Sequence, residues 1–241
     1  MKTLIVIPAR WNSSRFPGKP LALINGKEMI KRVWEQCLKS KEADDVIIAT
    51  DNKKIFNFCI KNNIKIIMTS IKHKTGTDRI GEVSRKINAD IYVNVQGDEP
   101  LIKSKNIDLL IKKLKNNKNY DVVLGYYNLK KIIKYNDYNP TYLVKNKFEE
   151  VLYLSRSQIP FFDKSKKNTI SISLGLFAFT KEGIKNFSKL KVSYLENIEK
   201  VEMIRFLENN YKILSVKLNE VNASVDYPSD IKKVEKIIKK K

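Results

Sequence analysis

Leu4-Ile5-Val6-Ile7-Pro8-Ala9-Arg10-Trp11-Asn12-Ser13-Ser14-Arg15-Phe16-Pro17-Gly18-Lys19-Pro20 runs an apolar strand directly into a basic loop punctuated by glycine and proline. Residues 4–7 are apolar and mostly β-branched, the pattern of a strand buried on both faces. Beyond them Arg10, Arg15 and Lys19 sit on a loop stiffened by Pro8, Pro17 and Pro20 and opened by Gly18. Such a loop leaves the C-terminal end of a first strand, where open α/β sheets take their ligands. Arginine supplies a planar fork and lysine a mobile point charge, a pairing suited to a polyphosphate. Two familiar phosphate loops are excluded. Gly18-Lys19 is followed by Pro20 rather than by Ser or Thr of a Walker A loop, and no Gly-x-Gly-x-x-Gly opens a helix here. The bland alternative is a solvated basic loop whose prolines merely order a turn.

Working outward, β-branched runs alternate with helical patterns to about residue 125, the signature of a parallel α/β sheet. Residues 27–40 predict a helix with Ile30, Val33, Trp34, Cys37 and Leu38 on one face. Strands are expected at 46–49, 64–68, 91–95 and 122–124. Asp51 is expected to cap a helix over 52–63, Thr77 to start another, and 105–116 to form a third. From about 126 the pattern changes. Residues 128–155 hold paired strand candidates around a turn near 145–147, 165–169 read as a polar loop, and 170–179 as a strand. Ser193-x-x-Glu196 is a capping box opening a helix to about Asn209, residues 211–218 return to strand, and Pro228 begins the last helix. The economical reading is one domain, with a core over 1–125 and 211–241 and an inserted lobe over 126–210.

The 241-residue length is ample for such a core. No apolar run approaches the roughly 20 residues needed to span a bilayer, and Pro8 and Arg10 interrupt any signal-peptide pattern, so a cytoplasmic location is expected. The net charge of +21 invites a nucleic-acid reading. The excess, however, is lysine scattered among Asn and Ile rather than a basic face with aromatic or glycine spacing, which argues against a specific nucleic-acid partner. The Lys-rich stretch 232–241 keeps Ile231, Val234, Ile237 and Ile238 at helical spacing and reads as a surface helix with a solvated basic face. Cys37 and Cys59 fall on apolar helix faces, and His73 is the only histidine, which argues against disulfides, a zinc site and a Ser-His-Asp triad.

Three further constellations carry chemistry. Val93-Asn94-Val95-Gln96-Gly97-Asp98-Glu99-Pro100 ends a buried strand in glycine and two carboxylates, where a metal could be held over a phosphate. Val225-Asp226-Tyr227-Pro228-Ser229-Asp230 sets a second carboxylate between a strand and a helix. Each has a plain alternative, a turn and a helix N-terminal acid. Glu196-x-x-Glu199-x-x-Glu202-x-x-Arg205 reads from its spacing as a surface ion-pair ladder. Together, a basic loop and two Asp at separate strand ends describe a Mg²⁺–nucleotide site, hence a nucleotidyltransferase or another phosphate-handling enzyme.

In order along nearly the whole chain, the 8–20 loop, Asn25-Gly26-Lys27, Ala49-Thr50-Asp51, Gly76-Thr77-Asp78-Arg79, Val95-Gln96-Gly97-Asp98-Glu99-Pro100, Leu154-Ser155-Arg156, the 195–205 Glu/Arg stripe and Val225-Asp226-x-Pro228-x-Asp230 resemble the 3-deoxy-manno-octulosonate (Kdo) cytidylyltransferase family. The resemblance implies a Rossmann-like nucleotidyltransferase fold with a mostly parallel central sheet and a small β-rich lobe for sugar binding and dimerisation. It implies a homodimer that couples CTP to Kdo or a close analogue, giving the CMP-sugar and pyrophosphate. By position it implies catalytic roles for Arg10, Lys19, Asp98 and Asp226, with Asp98 and Asp226 holding Mg²⁺. It implies nucleotide contacts from Pro8, Ala9, Arg10, Ser13, Arg15, Lys19, Thr75, Gly76, Arg79, Gln96 and Asp98, and a sugar pocket built from Gln96, Arg156, Ser173, Glu199 and Glu202.

Two departures fall on the sugar side. The family has a His-Leu-Gly-Ile-Tyr-like run where this chain has Ser173-Leu174-Gly175-Leu176-Phe177, and the stretch after Asn139-Pro140 is shortened to Thr141-Tyr142-Leu143-Val144. Kdo, an 8-amino analogue and a sialic-type acid therefore all stay open as the acceptor. A catalytically idle nucleotide or polyanion binder stands as the reading from another class.

Overall fold

A computed structural model describes residues 1–13, 15–129, 140–161, 169–219 and 224–239. Ser14, Asn139, residues 165–168 of the polar loop and Lys240–Lys241 of the tail lie outside the described residues.

In chain order the elements are β1 (Thr3–Ala9), β2 (Leu23–Ile24), β3 (Lys27–Glu28), α1 (Met29–Cys37), β4 (Asp45–Thr50), α2 (Lys53–Lys61), β5 (Ile66–Met68), α3 (Gly76–Lys86), β6 (Ile91–Val95) and α4 (Ser104–Lys115). Then follow β7 (Val122–Leu129), β8 (Thr141–Lys145), β9 (Val151–Ser155), β10 (Ile170–Thr180), α5 (Lys181–Lys189), α6 (Tyr194–Glu199), α7 (Ile204–Glu208), β11 (Leu214–Lys217) and α8 (Pro228–Lys239).

The main sheet has the order β11-β7-β10-β6-β1-β4-β5. β1 pairs in parallel with β4 and β6, β4 with β5, and β11 with β7. β10 alone runs against its neighbours β6 and β7, so six of the seven strands on this path share one direction. At its other end β10 also pairs β8, which continues into β9 as an antiparallel hairpin.

The strand pattern explains the two-sided core. Ile5 and Ile7 of β1 pack into one layer with Ile30 and Val33 of α1 and Leu110 of α4. Leu4 and Val6 pack into the other with Ile80 and Val83 of α3, Phe187 of α5 and Phe206 of α7. A strand covered on both faces has no solvent side, so its sequence is a continuous apolar run rather than an alternation. Both cysteines are buried, as their apolar positions require.

Local chemistry corrects three expectations and details a fourth, the surface helix at the C-terminal end. Asn52, not Asp51, caps α2, its side chain accepting from Lys54 N–H at 2.8 Å. Leu38 follows the last turn of α1 and is exposed, because the helix ends at Cys37 before that face can be completed. Ile237 of α8 is partly exposed, while Val234 is buried and Ile231 and Ile238 pack beside it. The helix expected over 193–209 is two short helices, broken where Lys200 adopts a left-handed backbone (φ 55°). Asn25 and Gly26, both at positive φ, close the β2–β3 hairpin, as an Asn-Gly turn favours.

Candidate active site

The site lies at the C-terminal ends of β1 and β6, on the side where parallel strands deliver their loops. The 10–18 loop folds back on itself: Gly18 N–H donates to Trp11 O at 3.0 Å, and Gly18 takes φ 71° with the Trp11 ring against its α-carbon. This return brings Lys19 under the loop. Its ammonium donates to Asp98 Oδ2 at 2.6 Å and to Val225 O at 2.9 Å, with Asp226 Oδ1 at 3.9 Å. Arg15 donates to Asp226 Oδ1 at 2.7 Å and lies over the Tyr227 ring. Val225 N–H donates to Asp98 O at 2.9 Å, so the two acidic segments are tied by backbone as well as by charge. Three of the four residues expected to be catalytic, distant in sequence, therefore meet around one ammonium.

Gly97 permits this convergence. A Cβ there would fall 2.9 Å from Pro8 O, so only glycine lets the β6 turn lie against the end of β1. Arg10 is turned the other way, donating to Lys74 O at 3.0 Å and so tethering the loop that precedes α3.

Two cavities open here. One, of about 340 Å³, is lined by Pro8, Ala9, Ser13, Arg15, Lys19 and Arg79 among others. The other, of about 550 Å³, is lined by Arg156, Ser173, Glu202, Thr75, Lys74 and Lys200 among others. Arg10, Arg15, Gly76, Gln96 and Asp98 line both, so the two spaces adjoin across the β6 end. The expected nucleotide residues thus gather on one side, apart from Thr75, and Arg156, Ser173 and Glu202 on the other.

Arg79 is fully buried: one end nitrogen donates to Asp51 Oδ2 at 2.6 Å and the other to Thr69 Oγ1, while its Nε has no hydrogen-bond partner. It joins α3 to the ends of β4 and β5. Thr75 caps α3 in a capping box with Asp78. His73, the lone histidine, sits 2.6 Å from Glu82, which also accepts from Ser70 N–H and Lys86. Burial would raise the Glu82 carboxyl, but the bonds from Lys86, Ser70 and His73 outweigh it and hold its pKa at about 2.

The acidic stripe is not a surface ladder. Arg205 is 2% exposed and grips Glu196 through two parallel bonds of 2.7 and 2.6 Å, with a third bond to Asp78 Oδ1 at 2.8 Å. Burial opposes its charge, but Glu196 and Asp78 more than offset this and raise its pKa. Glu199 does not line the cavity; it accepts from Ser155 Oγ at 2.8 Å and from Arg156 N–H at 2.7 Å, holding the strand end that carries Arg156. Glu202 lines the cavity and accepts from Thr77 N–H at 3.1 Å. Burial pushes the Glu202 carboxyl above its ordinary range, against the bond from Thr77, and the Asp78 charge pushes the same way. Gln96 is seated on Gly175, where a Cβ would fall 2.7 Å from Gln96 Cγ.

Lys74, Lys200, Glu196 and Arg205 were not singled out as site residues by sequence reasoning. The first two carry no signal beyond charge. The last two stand in the Glu/Arg stripe, whose regular spacing conceals the break between α6 and α7.

Among the described residues no three His, Cys, Asp or Glu gather as a metal cage. Asp98 and Asp226, both reaching one ammonium, fit the one or two carboxylates that Mg²⁺ takes when phosphates and water complete its shell.

A cytidylyltransferase family model matches residues 4–213. The chain is 41% identical to the 3-deoxy-manno-octulosonate cytidylyltransferase of Thermodesulfovibrio yellowstonii, over 99% of this chain and 98% of that one. It is 36% identical to the 8-amino-3,8-dideoxy-manno-octulosonate cytidylyltransferase of Shewanella halifaxensis, over 96% of each. The solved structure of a CMP:2-keto-3-deoxy-manno-octonic acid synthetase complexed with CTP matches with a TM-score of 0.93 at 32% identity, covering 100% of this chain and 99% of that chain. With its basic loop, acidic pair and divided cavity in this setting, the chain belongs to the 3-deoxy-manno-octulosonate cytidylyltransferase family.

Proposed function

We propose that this protein transfers a cytidylyl group from CTP to an eight-carbon 3-deoxy-ulosonic acid, Kdo or its 8-amino analogue, with release of pyrophosphate. The observation that carries the reading is the meeting of Lys19, Asp98 and Asp226 at the boundary of two adjoining cavities, one ringed by cations and one carrying Arg156.

The reaction brings two anions together, so charge neutralisation and alignment are the main tasks. In this reading Arg15 and Lys19 leave their carboxylates for the triphosphate, and Lys19 takes the charge that develops on the departing pyrophosphate. Arg156 pairs with the carboxylate of the sugar acid, its backbone held by Glu199. Gln96, between the cavities, orients the anomeric hydroxyl for in-line attack on the α-phosphorus. Asp98 and Asp226 would hold Mg²⁺. Bound there, Mg²⁺ supplies neutralisation at the α-phosphate and a lower pKa for the attacking hydroxyl.

The 8-amino acid stays beside Kdo because Ser173, which departs from the family pattern, lines the larger cavity together with the Glu202 carboxyl. A pyrophosphate-release panel over Kdo, 8-amino-Kdo and a sialic acid tests both readings. Turnover with Kdo and none with the analogue removes the second.

The reading carries with it a cytoplasmic enzyme that acts as a homodimer. Exposed Phe148 (66%) and Leu152 (57%) at the β8–β9 hairpin support self-association. Light scattering that finds only monomer at micromolar concentration would contradict it.

A further inference from the structure

Arg205 touches neither cavity, yet it joins the two elements that flank the larger one. We propose that Arg205 is a positioning residue for the acidic sugar, a buried clamp that breaks the acidic helix and turns Glu199 and Glu202 to their separate tasks. The proposal rests on the cytidylyltransferase reading for the identity of the sugar, and on geometry alone for the clamp.

Residues 196–205 could form one continuous helix, with Glu196, Glu199, Glu202 and Arg205 drifting along a single stripe. In the structure Arg205 instead folds back to grip Glu196 in a two-pronged bond, with its guanidinium 4.1 Å from the centre of the Phe187 ring. The chain between them reverses at Lys200, a non-glycine residue at φ 55°. That conformation is disfavoured for L-residues and persists only where the surroundings impose it. The reversal is what separates the two remaining acids. Glu199 points to Ser155 and the Arg156 amide, and Glu202 to the Thr77 amide at the start of α3.

The third bond of Arg205, to Asp78, is not needed for α3 to begin. Asp78 is already held in the capping box with Thr75, whose amide donates to Asp78 Oδ2 and whose hydroxyl accepts from Asp78 N–H. Loss of the clamp therefore frees Glu199 and Glu202, including the Glu202 bond to Thr77, while the capping box still holds the start of α3 and the nucleotide-side residues on it.

Lysine keeps the charge of Arg205 and loses the fork, so R205K isolates geometry from charge. In folded R205K the sugar KM rises roughly tenfold or more, since small misplacements in a binding site are costly. CTP affinity by calorimetry stays within about twofold, a split that general loosening would not give. Hydrogen exchange supplies a second readout that needs no substrate: the Thr77 amide, bonded to Glu202, loses roughly tenfold of its protection. E196Q, which leaves the Arg205–Asp78 bond in place, moves the same quantities in the same direction by less and serves if R205K does not fold. A sugar KM within twofold of wild type, a parallel loss of CTP affinity, or an unchanged Thr77 amide would overturn the clamp. If wild type itself turns over no sugar acid, the functional reading fails, and the Thr77 amide still decides the clamp.

Discussion

Lys19 donates to Asp98 across 2.6 Å while Asp226, held by Arg15 at 2.7 Å, stands 3.9 Å from the same ammonium, so one lysine lies within reach of both members of the acidic pair. With 12% of its side chain exposed, the ammonium has little solvent to replace those partners. On the proposed function, a divalent cation bound with a triphosphate would offer both groups a new partner: positive charge for the carboxylates and negative charge for Lys19.

Asp98→Asn and Asp226→Asn should each lower turnover by about 10²- to 10³-fold, the usual cost of one electrostatic contact at a reacting centre. CTP binding in EDTA should stay near wild type, and the increment gained on adding Mg²⁺ should shrink. Calorimetry with and without Mg²⁺ makes the check. Wild-type turnover in both variants would remove the pair from the mechanism.

Arg79→Met should destabilise the fold by about 3–5 kcal/mol, because it leaves Asp51 without its buried partner. Denaturant unfolding measures this directly. A loss below about 1 kcal/mol would mean that Asp51 stays solvated and that Arg79 does not hold α3 to β4.

Much of this was legible in the sequence. The β1 run and the loop behind it announced a buried parallel strand and a basic turn at its end, since both depend on residues adjacent in the chain. The strand at 91–95, the final helix from Pro228 and the hairpin turn near 145–147 were readable for the same reason. The 193–209 region was not, because its capping box and apolar spacing are helical at every local step. It breaks at Lys200, and Arg205 folds back onto Glu196 across the break, a pairing the regular spacing does not announce. Asp51 was readable as an acid near a helix start; that it serves Arg79 depends on a partner 28 residues away.

Gly175→Ala should act on the sugar step. The added methyl would stand 2.7 Å from Gln96 Cγ, displacing that side chain between the two cavities. Overpacking of this kind costs about 1–3 kcal/mol. The expected result is a raised sugar KM, a lowered kcat and a folded protein. Unchanged kinetics would show that Gln96 does not orient the acceptor.

Acid stability should depend on Glu82. Its folded pKa of about 2 lies below the ordinary 4.5, so the group stabilises the fold above pH 4.5 and loses that contribution as pH falls through 2. The shift corresponds to about 3 kcal/mol at neutral pH. The stability gap between wild type and Glu82→Gln should therefore be full at pH 6 and shrink steadily from pH 4.5 downward. A gap that does not vary with pH would contradict the assignment.

Pyrophosphate release by the purified protein with CTP, Mg²⁺ and Kdo or 8-amino-Kdo decides whether this site transfers a cytidylyl group. CTP-dependent release is expected with at least one of these sugar acids, accompanied by the CMP-sugar in equal amount and lost in Asp98→Asn. Tight CTP binding with no release for either sugar acid would contradict it and leave a nucleotide-binding protein in place of an enzyme.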